Sequence, residues 1–267
     1  MNTAFARGNL TVNDLASIFK VSRSTIHRHL VRKYKEALPE VQGREVVVMM
    51  DATYWGRRFG VVIFKDAATG DILWYKFIYK RETTADYKEG LEFLTRGGFT
   101  VLAVVCDGFK GLRGIFSAYK FQLCQFHQMM TIRTRLTLHP KLEASRELLE
   151  LSRLLCHTDK DSFVGAFKEW EVKWHSFLME RSMDANGKSH FVHKDLRSAY
   201  LSLKRNMDWL WTWYDFPELG IPNTNNALES LNSDLKAKLN LHKGISQERR
   251  KVFIQDFLKT HNKKRDN

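Results

Sequence analysis

Val46-Val47-Val48-Met49-Met50-Asp51-Ala52-Thr53 decides how the chain is read. Five apolar residues in a row, three of them valine, predict a strand buried on both faces. The run stops at a carboxylate, and Tyr54, Trp55 and Gly56 follow as the turn. An acid at the end of a buried strand is costly unless it is paired or holds a metal. Val101-Leu102-Ala103-Val104-Val105-Cys106-Asp107 repeats the pattern, with Gly108 behind it.

Outward from these runs, residues 59–64 and 72–78 read as two further strands around the turn Ala67-Ala68-Thr69-Gly70. The short connections imply an antiparallel meander with the first strand. Thr83 and Thr84 open a helix burying Tyr87, Leu91 and Leu94 and ending at Gly97-Gly98. Another helix is expected near 109–118, then a short strand Phe121-Gln122-Leu123-Cys124. The order β-β-β-α-β-α-β makes a mixed five-stranded α/β sheet. A right-handed crossover would lay the fourth strand parallel to the first, with Asp51 and Asp107 emerging side by side.

From 126 to 220 every pattern is helical. Leu148, Leu151 and Leu155 form one stripe, and Phe163, Phe167, Trp170, Trp174 and Phe177 another, with a polar break at 184–188. These aromatics suit helix packing. Trp209, Trp211 and Trp213 stand on alternate positions, so one helix cannot bury all three on one side.

Next comes Asn223-Thr224-Asn225-Asn226-Ala227-Leu228-Glu229-Ser230-Leu231-Asn232-Ser233. Asn223 can cap a helix whose stripe is Leu228, Leu231, Leu235 and Leu239. Asn225, Asn226, Glu229, Asn232 and Ser233 share the other side. Amides around one carboxylate suit a preorganised polar site. Beyond Leu235 ten Lys/Arg, among them Lys243, Lys264 and Arg265, face three acids, a net +7 suited to tracking phosphates.

The N-terminal end carries a different pattern. Thr11 can cap a helix with Leu15, Ala16 and Phe19 inside, Lys20-Val21 turns, and Ser22 can cap a second helix burying Ile26 and Leu30. Arg23, Ser24, His27 and Arg28 are then exposed, as on the recognition helix of a helix-turn-helix. The 267 residues hold 43 Lys+Arg against 30 Asp+Glu, a charge of +13 that favours a polyanionic partner. No apolar run approaches a membrane span and no signal peptide is legible, so a soluble, cytoplasmic, nucleoid-associated protein is expected. Three cysteines are too few for a disulfide framework.

Three carboxylates among oxygen-rich neighbours suit two Mg²⁺ or Mn²⁺ ions, with Asp51 as the bridging ligand and Asp107 and Glu229 each completing one shell. At these residues the chain resembles the DDE transposases of the Mutator-like (MULE) superfamily, which includes bacterial insertion-sequence transposases. Asp51 in Met-Met-Asp-Ala-Thr-Tyr, Asp107 in Val-Cys-Asp-Gly and Glu229 in Asn-Asn-Ala-Leu-Glu-Ser-Leu-Asn carry the resemblance. Cys124-Gln125-Phe126-His127 looks like the Cys-x-x-His of such enzymes, and is expected to shape the active-site wall or contact DNA. The resemblance spans roughly residues 46–240.

It implies a ribonuclease-H-like core, an all-helical insertion before Glu229, and metal-dependent cleavage and joining of DNA at insertion-sequence ends. The implied segments are a helix-turn-helix at 1–38, the first part of the core at 39–127, the insertion at 128–222, and the glutamate helix with a basic C-terminal helix at 223–267. The implied partners are double-stranded DNA with inverted terminal repeats, target DNA, and further copies of the chain in a homodimer or larger assembly. Only nine residues precede Leu10, where such enzymes often carry a longer region. Either the chain is truncated, or end recognition falls to the helix-turn-helix and the basic tail. A non-catalytic DNA-binding remnant and a ribonuclease-H-like nuclease are the rival readings.

Overall fold

A computed structural model describes residues 10–30, 35, 37–242 and 245–263. Lys243, Lys264 and Arg265 of the expected basic tail, and residues 31–34 after the second helix, lie outside the described residues. The chain divides into two compact units, Met1–Leu102 with Asn226–Asn267, and Ala103–Asn225. The division falls inside the fourth strand of a five-stranded sheet, whose strands, counted along the chain, lie in the order third, second, first, fourth, fifth.

The first unit begins with α1 (Val12–Ile18) and α2 (Arg23–Leu30). Thr11 caps α1 as expected, and with Asp14 it forms a capping box, each side chain serving the other's backbone N–H. Val21 N–H returns to the Ala16 carbonyl at 3.0 Å, and Ser22 Oγ accepts from Thr25 N–H at 3.1 Å. Leu15 and Ile26 are fully buried between the helices. Phe19, expected inside, is 41% exposed, because α1 stops at Ile18 and Phe19 leaves the helical stripe as its C-cap.

β1 (Glu45–Tyr54), β2 (Gly60–Asp66) and β3 (Ile72–Ile78) form the expected antiparallel meander. The strand expected to stop at Asp51 runs on to Tyr54. Ala52, Thr53 and Tyr54 find ladder partners in Val62, Val61 and Gly60, and the turn closes only at Trp55 N–H to Phe59 O, 2.8 Å. Asp51 therefore sits within the strand, opposite Ile63.

α3 (Thr84–Arg96) covers the meander. The Asp86 carboxylate accepts from both the N–H and hydroxyl of Thr83 at 2.8 Å, which starts the helix. Tyr87 and Leu94 are buried as expected, while Leu91 is half-buried. A Cβ at Gly90 would come within 2.7 Å of the Phe64 and Trp74 rings, so only glycine lets the helix approach this closely.

The unit is completed by α10 (Asn226–Asn240) and α11 (Gln247–Lys263). Leu228, Leu231, Leu235 and Leu239 are buried as the stripe predicts, and α10 packs on β1. α11 is less a free basic surface than the composition suggests. It buries Phe253, Ile254, Phe257 and Leu258, packs on β3, and half-buries Arg249, Arg250, Lys251 and Lys259. Its Asn262 amide bonds the backbone of Ile72 twice, accepting from N–H at 2.8 Å and donating to C=O at 2.9 Å.

β4 (Thr100–Cys106) leads into the second unit and pairs in parallel with β5 (Lys120–Leu123), Cys106 opposite Leu123. Between them the helix expected near 109–118 shrinks to one turn, α4 (Leu112–Ile115). Gly111, at φ +97°, holds a left-handed conformation that breaks the run. Then follow α5 (Gln125–Leu136), α6 (Glu143–Leu154), α7 (Lys160–Met179), α8 (Lys194–Leu210) and α9 (Thr212–Asp215).

The all-helical expectation for this stretch fails at one place. β6 (Arg181–Met183) and β7 (Ser189–Phe191) form a hairpin after α7. Its turn is the polar break: Asp184 Oδ1 accepts from Asn186 and Lys188 N–H, both at 2.9 Å, and Gly187 sits at φ +73°. Leu148, Leu155, Phe163, Phe167 and Trp170 are core, while Trp174 and Phe177 are half-buried. α8 ends at Leu210, so Trp211 is fully buried while Trp209 and Trp213 remain half-exposed. Among the described residues no helix is long and apolar enough to cross a membrane.

Candidate functional sites

In the first unit a carboxylate and an amide meet. Asp51 projects from β1, and Asn232 Nδ2 on α10 donates to its Oδ2 at 2.8 Å. Asn232 is 5% exposed, and its Oδ1 is buried with no donor among the described residues. Glu229 lies one helical turn before Asn232 and is half-buried. Lys65, an ionisable residue buried within β2, donates to the Ala227 carbonyl at 3.0 Å and so fixes the first turn of α10. Its signal was a lysine inside the apolar run Val61-Val62-Ile63-Phe64-Lys65.

The expected amide face divides. Asn232 is buried against Asp51, whereas Asn226 and Ser233 are exposed. The helix starts at Asn226, so Asn223 is not its cap. Asn223 instead donates through Nδ2 to Gln125 Oε1 and accepts from Gln125 N–H at its carbonyl, both at 3.0 Å. That pair of bonds holds its backbone outside the helix.

In the second unit Asp107 is the first residue past β4, as expected for an acid at a strand end. Its Oδ1 accepts from Phe109 N–H at 3.1 Å, and it makes no ion pair among the described residues. Cys124, fully buried, caps α5, and its Sγ accepts from the N–H of the buried Asn225 at 3.2 Å. His127 follows one turn later. Gln122 and Gln125, fully buried, both donate through Nε2 to the Leu210 carbonyl, at 3.0 and 2.9 Å. They satisfy the end of α8, a role that no spacing announced.

On α2, Arg23, Ser24 and Arg28 are exposed as expected of a recognition helix, while His27, expected exposed, is half-buried. Residues 3–32 match the family model described as bacterial regulatory protein, arsR family. The N-terminal segment is therefore a helix-turn-helix element, of the kind that binds double-stranded DNA. No curated protein matches the chain.

Proposed function

We propose that the chain is a DDE-type DNA transposase, with a ribonuclease-H-like core that cleaves and joins strands at the ends of an insertion sequence. Asp51, Asp107 and Glu229 would hold two Mg²⁺ or Mn²⁺ ions. The observation that carries this reading is the Asp51–Asn232 pair. The amide steadies one carboxylate oxygen, and a buried carbonyl oxygen beside it has no donor among the described residues. Oxygen donors of this kind fit a hard divalent cation. Such ions supply activation of the attacking oxygen and neutralisation of charge on the departing one.

The protein's own part is placement. Asn232 sets the orientation of the Asp51 carboxylate, Lys65 anchors the helix that carries Glu229, and the Asp107 carboxylate is held by Phe109 N–H. α2 delivers the duplex. Hydrolysis of a phosphodiester at the element end frees a 3′ hydroxyl, which then attacks target DNA. Two ends must be held together, so a dimer or larger assembly is part of the proposal.

The test is a cleavage and strand-joining assay with Mg²⁺ and labelled DNA taken from the flanks of the reading frame. Joined products are expected, together with their loss in Asp51→Asn while DNA binding persists. The helix-turn-helix match, to a family of regulatory proteins, favours a second reading, DNA binding without catalysis. Binding with neither cleavage nor joining would establish that one, and cleavage without joining would point to a nuclease.

A further inference from the structure

A cleft of about 640 Å³ in the second unit is built from the loop after β4 and from α4, α5 and α8. Lys110, Arg113, Arg135 and Arg205 line it, and no Asp or Glu does. None of the four takes part in an ion pair among the described residues. Elsewhere in the same unit Lys160, Lys173 and Lys204 each sit on a carboxylate. Acids were thus available; Asp107, the residue before Gly108, lines an adjoining hollow and not this cleft.

Arg113 is the most constrained of the four. Its guanidinium lies 3.6 Å from the centroid of the Trp209 ring and donates to Asn206 Oδ1. Asn206 in turn donates to Gln128 Oε1 at 2.6 Å, and Gln128 to Ser202 Oγ at 3.4 Å. Burial lowers the Arg113 pKa, Cys106 opposes the shift, and the positive charge of Arg205 adds to it, so the cleft holds like charges together at a cost. The uncompensated charge calls for an anion.

We infer that this cleft is a second nucleic-acid site, which holds the sugar-phosphate backbone of a single DNA strand. The chain carries a helix-turn-helix of the DNA-binding kind at its N-terminal end, and its charge of +13 draws polyanions. The volume is that of a pocket for an organic ligand of several hundred cubic ångströms, far above what one phosphate needs. A duplex is too wide to enter it. Gly108 and Gly111 in the wall let a backbone approach without side chains in the way. The inference stands whether or not the acids cleave DNA.

The experiment uses the full chain with Arg23→Ala and Arg28→Ala, which removes α2 as a competing site. Anisotropy of a fluorescent single strand is followed across a salt series, with and without Lys110→Gln plus Arg205→Gln, two exposed positions. Loss of the pair is expected to weaken binding roughly tenfold at low salt. The slope of log K against log salt should fall by about 0.7 for each phosphate contact removed. Unchanged affinity and slope overturn the proposal. So does binding of inorganic phosphate, measured calorimetrically, that the same substitutions abolish while the strand does not compete.

Should the double variant unfold, photo-crosslinking of a bromodeoxyuridine strand to the unmutated chain decides instead. Adducts on residues 108–113 or 198–206 support the site, and adducts confined to residues 10–30 overturn it.

Discussion

Arg44 and Arg113 are both arginines held in place by several neighbours, one in each unit, and they are held for different ends. One nitrogen of Arg44 lies 2.8 Å from Asp66 and 2.7 Å from Asp71, with Thr69 Oγ1 at 2.9 Å, so its charge is cancelled within the fold. Lys76 does the same with Asp86 and Glu89, at 2.9 and 2.6 Å. Arg113 has an indole face, an asparagine oxygen and three other cations around one cleft. A cancelled charge is part of the architecture. A charge oriented at some cost and left uncancelled is kept for something that arrives from outside.

The comparison is most easily broken by stability measurements. Arg44→Met leaves Asp66, 2% exposed, without its cation, and should lower the urea-unfolding free energy by about 2–3 kcal/mol. That is below the full cost for a buried pair, because the guanidinium keeps some solvent. Arg205→Met should leave stability unchanged within about 0.5 kcal/mol. If the two variants lose equally, the distinction between structural and ligand-directed cations is gone.

A second measurement uses His242, 6% exposed in the first unit and beside the Phe253 ring. Burial lowers its pKa below 6.5, so the unfolded chain takes up the proton more readily than the fold. Stability is therefore complete above pH 6.5 and declines as pH falls toward the folded value. Melting temperatures across that range should show the decline, and His242→Gln should remove its share. A smaller effect is expected at the N-terminal end. Thr11→Ala removes half of the capping box and should cost about 1 kcal/mol locally. Faster hydrogen exchange of the α1 amides, with a modest loss of duplex affinity, would report it.

Much of the first unit was readable because its signals are local. Apolar runs punctuated by Gly70 or by Gly97-Gly98 give the meander and α3, and four leucines at helical spacing give α10. The extension of β1 past Asp51 was hidden, since Ala52-Thr53-Tyr54 owe their strand geometry to Val62, Val61 and Gly60 on a neighbour. The hairpin at 181–191 had a turn signal in Asn186-Gly187, but strands of three residues are too short to show a period. Asn232 could be picked out beside Glu229 because a helical face of amides is unusual, but its bond to Asp51 on a distant strand could not. The cleft cations could not: in a chain with 43 Lys+Arg, a single arginine says nothing. Only the fold gathers Lys110, Arg135 and Arg205 around Arg113 and leaves acids out.

The twofold grip of Asn262 on Ile72 has a consequence for the protein's behaviour in a crowded cell. β3 is an outermost strand, and its first rung would otherwise offer a donor and an acceptor to any passing chain. One carboxamide near the C-terminus blunts that sticky border. Shortened chains ending before α11 would present the bare margin of the sheet, and they should clump or thread into neighbouring copies.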